Sequence, residues 1–168
     1  LAADLVVIGV GVTPVLGYLE KSGLVEKQSE GIAVNERLQT EADGILAAGD
    51  VAHFPAHGNH YRVEHWVHAQ KQGAHAARVM LGRDEPFTEV PFLWTRQYTT
   101  TVKYAGYPSH FDSIEYRGDV ESGSFLAGYF TDGRLTGVCT IGMQDPFVAC
   151  MLAMEAGEKV TPTHFKEM

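Results

Sequence analysis

Thr40-Glu-Ala-Asp-Gly-Ile-Leu-Ala-Ala-Gly-Asp50 runs four apolar residues, Ile45 to Ala48, directly into a glycine and an aspartate. A short apolar run bounded by turn residues reads as a strand buried on both faces. In open α/β sheets, ligands sit outside the carboxyl ends of the strands, and Asp50 stands at such an end. Gly49 has no side chain, so a bulky group can approach the backbone there. Two readings of Asp50 stay open on these residues alone. Its carboxylate accepts hydrogen bonds from sugar-like hydroxyls of a ligand, or it turns back onto nearby N–H groups and caps the turn.

Upstream, Leu5-Val-Val-Ile-Gly9 reads as another fully buried strand of the parallel-sheet kind. It opens with no partner strand before it, as in a piece of a longer protein. Thr13-Pro14 has the chemistry of a helix start, with Thr as N-cap and Pro at the first position. The spacing then predicts a short helix over Val15 to Lys21, ended by Gly23, and a short strand over Gly31 to Asn35. Downstream, residues 53–62 are rich in His, Gly and Asn and read as loop. Val63 to Leu81 has helical period, with Trp66, Ala69, Gly73, Ala76, Ala77 and Met80 roughly on one face and Gly82 as the stop. The small residues imply close packing on a sheet.

Arg83 to Glu89 reads as a linker, and the texture changes after it. Tyr98 to Tyr104 is a Thr/Val/Tyr strand, with Gly106 and Pro108 as breakers. Ser113 to Tyr116 is a second strand. Phe125 to Phe130 and Leu135 to Thr140 flank Asp132-Gly133, a strong hairpin signal. Asp145-Pro146 starts a helix that Gly157 stops. The second half is thus antiparallel strands followed by a helix, unlike the βαβ-flavoured first half.

The bulk numbers exclude several classes. With 168 residues and 45% apolar composition, the chain can build a packed core. A net charge of −8 argues against nucleic-acid binding. The apolar runs are far shorter than the roughly 20 residues of a membrane helix. Cys139 and Cys150 form no Cys-x-x-Cys pair and read as reduced, buried thiols of a cytoplasmic protein. Of eight histidines, His53, His57 and His60 share one loop, with His65 and His68 following. Their spacing matches no metal-site pattern, so they read as a solvated, pH-responsive group.

The ordered set of motifs carries a resemblance over nearly the whole chain. Thr40-x4-Ile-Leu-Ala-Ala-Gly-Asp50 resembles the second FAD fingerprint of the two-dinucleotide-binding, glutathione-reductase-like flavoproteins. Ala3 to Pro14 looks like the end of their NAD(P)H domain. Arg62 to Ala77 (RVEHWVHAQKQGAHAA) is similar to the flavin-facing helix of one branch, and Pro91 to Thr95 and Lys103 to Tyr107 to its interface domain. That branch comprises the ferredoxin reductases of oxygenase systems and the apoptosis-inducing-factor-like proteins.

The resemblance implies an α+β fold, the C-terminal half of such a flavoprotein. Residues 1–14 would end the NAD(P)H-binding domain, 15–84 would be the second half of the FAD-binding domain, and 85–168 an interface domain. It implies FAD and NAD(P)H as cofactors, and a ferredoxin or Rieske protein as electron acceptor. It also implies a homodimer through the C-terminal domain, with no nucleic-acid or membrane partner. Gly49 and Asp50 would meet the ribityl chain of FAD. The N–H of Trp66 would face the flavin N1/O2 edge, Glu64 and His65 would lie where nicotinamide docks, and Trp94 would shield the ring. The plainer alternatives are core positions for the two tryptophans, a surface histidine at His65 and a first-turn acid at Glu64.

Two departures matter. Arg96 stands where ferredoxin-reductase relatives often have an aspartate two residues after the tryptophan. Thr161-Pro162-Thr163 lacks the preceding histidine of the disulfide reductases, which speaks against that activity. Taken alone, the chain is expected to hold FAD weakly and to be inactive. The alternative to a reductase part is a non-catalytic interface module.

Overall fold

The computed structural model describes residues 2–25, 30–56, 58–107 and 110–168. His57 and Pro108, assigned above to loop and breaker, lie outside these residues. The chain is α+β, with two sheets. The first has three short strands, β1 (Ile32–Ala33), β2 (Ala52–Ala56) and β3 (Asn59–Tyr61). β1 pairs parallel to β2, and β2 pairs antiparallel to β3. Helix α1 (Trp66–Met80) follows.

The second sheet is antiparallel. Its strands β4 (Phe92–Gln97), β5 (Thr100–Gly106), β6 (Ser113–Asp119), β7 (Ser124–Thr131) and β8 (Arg134–Ile141) lie in the order β4-β5-β8-β7-β6. Helix α2 (Gln144–Glu155) packs on β8 and β5, and α3 (Pro162–Glu167) on β6 and β7.

Several expectations are corrected. Leu5 to Gly9 forms no strand; Leu5, Val6, Val7 and Ile8 are exposed, and nothing among the described residues pairs with them. Val15 to Lys21 forms only a 3-10 turn at Gly17–Leu19, with Leu16 and not Thr13 at its N-cap. Ile45 to Ala48 is not a regular strand: Leu46 makes one isolated bridge to Gln39, and Ile45 is exposed. Residues 53–62 are mostly not loop, since they hold the β2–β3 hairpin. The buried face of α1 carries His68, Gln72, His75 and Ala76, whereas Trp66 and Met80 point outward. Tyr98 lies in the β4–β5 turn at φ 55, so the strand begins at Thr100. α2 begins one residue before Asp145, which therefore does not cap it.

The hairpin turn is as expected. Asp132 and Gly133 sit at φ 50 and 68 in the turn between β7 and β8, the left-handed pair that a tight hairpin requires. Cys139 and Cys150 are free thiols, and burial pushes Cys150 up to about 11. Among the described residues no helix is long and apolar enough to cross a membrane.

The two sheets share one core. Phe54 of β2 meets Phe87 at 5.9 Å and Tyr107 at 6.1 Å between ring centroids. Tyr107 donates from its hydroxyl to the carbonyl of Glu89 at 2.7 Å. In the second half, Phe165 of α3 is fully buried against Phe130 and covers Gly128, where a Cβ would stand 2.8 Å from its ring.

Candidate functional site

The turn that carries Asp50 is shaped by its neighbours. The Thr40 hydroxyl donates to the Ile45 carbonyl at 3.0 Å and accepts from the Ala42 N–H at 3.2 Å, closing the loop before the apolar run. Gly49 is buried with φ +82, a conformation that strains any residue with a Cβ, and a Cβ there would lie 3.4 Å from that of Ala69 on α1. Its N–H donates to Gln72 Oε1 at 2.7 Å. The turn is therefore fastened to the helix by one hydrogen bond and a close approach.

Asp50 itself is exposed. Arg62 Nη1 donates to its backbone carbonyl at 3.1 Å. Among the described residues, no hydrogen bond or ion pair engages its carboxylate. The contrast is Asn35, whose Oδ1 accepts from the N–H groups of Arg37 and Gln39 at 2.8 and 3.0 Å. Asp50 makes no such turn-capping bond among the described residues.

Helix α1 starts beside that turn. Its N-cap is His65, in extended backbone and with no side-chain cap; the first turn contains no acidic residue. The first N–H groups of a helix have no partner within it, and they form its positive end. Among the described residues no side chain accepts a hydrogen bond from them. Asp50 lies near enough for its charge to act on His65, although burial is the larger influence and lowers the His65 pKa. His65 Nδ1 is buried without a partner. Glu64 is held by Arg62 at 2.5 Å, through the same nitrogen that binds the Asp50 carbonyl.

The structure thus gathers Gly49, Asp50, Glu64, His65 and the start of α1 around Arg62 and Gln72. Trp66 and Trp94 are 81% and 61% exposed, so neither is a core aromatic. Trp94 lies on β4, against which α1 packs. His65 is half-buried, not a free surface histidine. Arg96 donates to the Tyr98 carbonyl at 3.2 Å, which makes it part of the β4–β5 turn. His53 and His60 meet edge to face at 5.4 Å between centroids, but among the described residues no group of three or more metal-ligating side chains occurs.

Sequence reasoning missed Arg62, His68 and Gln72. The last two are one helical turn apart, a spacing that the helix period offers. The misassigned face concealed them.

An exposed, unengaged carboxylate beside an uncapped helix start suits a ligand with hydroxyls and an electron-rich edge. FAD fits both requirements. Residues 1–73 match the pyridine nucleotide-disulphide oxidoreductase family, and residues 92–167 the reductase C-terminal family. The chain belongs to the pyridine nucleotide-disulphide oxidoreductases, in the branch of the ferredoxin reductases and apoptosis-inducing-factor-like proteins.

Within that branch it is 36% identical over 152 residues to Apoptosis-inducing factor 3 of Mus musculus, covering 89% of this chain and 25% of the relative. It is 34% identical over 163 residues to the anthranilate 1,2-dioxygenase system ferredoxin–NAD(+) reductase component of Burkholderia cepacia, covering 95% and 40%. The ferredoxin reductase for the CYP199A2 system of Rhodopseudomonas palustris superimposes with a TM-score of 0.86 at 30% identity, over 97% of this chain and 40% of that one. The reductase–putidaredoxin covalent complex gives 0.86 at 29% identity, over 99% and 40%. The chain thus spans 25 to 40% of the length of these relatives.

Proposed function

We propose that this chain serves a flavin-dependent NAD(P)H oxidoreductase that delivers electrons to a ferredoxin or Rieske-type protein. Residues 1–14 belong with its NAD(P)H-binding domain, 15–84 with its FAD-binding domain and 85–168 with its interface domain. When bound, FAD supplies the redox chemistry.

The chain's own groups bind and orient. Asp50 would accept hydrogen bonds from the ribityl hydroxyls, and Gly49 would hold the turn against α1 beside the cofactor. The N–H of Trp66 faces the pyrimidine edge, where the positive end of α1 favours negative charge. Glu64 and His65 line the nicotinamide side, and the exposed indole of Trp94 covers the ring. The observation that carries this reading is the free Asp50 carboxylate set beside the uncapped start of α1.

The test uses the full-length protein. Its visible spectrum is expected to show bound flavin, and NAD(P)H to drive reduction of ferricyanide and of a ferredoxin. A flavin-loaded protein without turnover would leave the interface-module reading. The edge strand β4, followed by the 97% exposed Tyr98 in the β4–β5 turn, favours a docking or dimerisation role in that case.

A further inference from the structure

Gln72 is fully buried, and a buried amide is costly unless its polar atoms are bonded. Its orientation follows from its partners. The Gly49 N–H can only donate, so the atom 2.7 Å from it is Oε1. Nε2 then lies 3.2 Å from Nε2 of His68. An amide NH2 only donates, so His68 accepts there and carries its own proton on Nδ1. The His68 ring is 2% exposed and packs against Phe54 and Phe87, with centroids 5.2 and 5.3 Å away. Its Nδ1 has no partner. Packing thus holds the ring, the ring holds the amide, and the amide holds the Ala48–Gly49 peptide, one residue before Asp50.

We propose that Gln72 is a positioning residue for FAD binding: through Gly49 it fixes the direction of the Asp50 carboxylate beside the start of α1, and His68 fixes Gln72. The inference rests on the reading of Asp50 given above. A residue needed only for filling space would be replaceable by Met, which has the length of Gln and no acceptor oxygen. Gln72→Glu keeps an oxygen opposite Gly49, with His68 switching tautomer to donate to the second oxygen.

The experiment measures FAD affinity of the full-length apoprotein by quenching of flavin fluorescence. Gln72→Met is expected to weaken FAD about tenfold, the effect of leaving a buried donor unpaired. Gln72→Glu should stay close to the unaltered protein. In an Asp50→Ala background, Gln72→Met should add nothing. Should the Met variant not fold, Gln72→Asn, one methylene too short to reach Gly49, takes its place with the same expectation.

Equal losses in the Met and Glu variants, or a Met effect that adds in full to Asp50→Ala, would overturn the positioning role. So would a Met variant that binds FAD normally while Asp50→Ala binds it weakly. If Asp50→Ala itself binds FAD normally, the reading of Asp50 fails first, and the inference with it.

Discussion

Asp50 is the residue on which the cofactor reading turns, and its removal has a definite signature. Asp50→Ala should lower FAD retention of the full-length protein by roughly ten- to a hundredfold, the range for a charge-assisted hydrogen bond. Gel filtration followed by the ratio of flavin to protein absorbance checks this. His68 gives a pH signature of its own. Burial, then His65 and Lys71, lower its pKa from 6.5 to about 4, while Glu89 opposes them. The folded state therefore keeps His68 neutral where the unfolded chain would protonate it. Stability is full above 6.5 and is lost as pH falls towards 4, by on the order of 3 kcal/mol. Denaturant midpoints from pH 7 to 4 should show this slope, and His68→Phe should flatten it. Asp50 and Gly49 stood out in the sequence as candidates because an apolar run stopping at Gly-Asp is chemically odd. Arg62, His68 and Gln72 did not, because the buried face of α1 was misassigned and the bonds of Arg62 and Gln72 to the turn join residues 12 and 23 positions apart.

Elements with strong local chemistry announced themselves, and those built by context did not. Asp132-Gly133 named its hairpin, since few other residues accept two positive φ values in succession. The β2–β3 hairpin was hidden because His53, Pro55, His60 and their neighbours have low strand propensity; β2 forms through burial of Ala52 and Phe54 and pairing to β1. The opposite error occurred at Leu5 to Gly9, where high strand propensity without a partner yields no strand. Two element-scale changes test the packing. Gly106 sits at φ +126, and a Cβ there would lie 2.4 Å from both Gly137 Cα and the Thr136 carbonyl. Both are backbone atoms of the neighbouring strand, so Gly106→Ala should cost about 3 kcal/mol or prevent folding. Thr161 caps α3 by accepting from the His164 N–H at 3.3 Å. Thr161→Ala should cost about 1 kcal/mol in chemical denaturation and loosen the seating of Phe165.

At the scale of the molecule, a charged cluster near Tyr107 joins the two halves. Lys71 of α1 pairs with Glu89, and Glu155 at the end of α2 lies beside them with Oε1 buried and unpaired. Burial raises the Glu155 pKa above 4.5; Glu89 adds to the rise and Lys71 opposes it. A raised folded-state value means stability that is present below 4.5 and lost as pH climbs through that value. Glu155→Gln removes the charge, so its advantage in melting temperature should grow from pH 4.5 towards neutrality. Thermal scans of both proteins across that interval decide it. The naked stretch from Leu5 to Val12 has a further consequence. It carries no charge and no proline, and its valines stand in water. Such a stretch is a ready template for a like stretch of another molecule. The isolated polypeptide should accordingly self-associate as its concentration rises, and a single Val7→Lys exchange should keep it dispersed in sedimentation velocity runs.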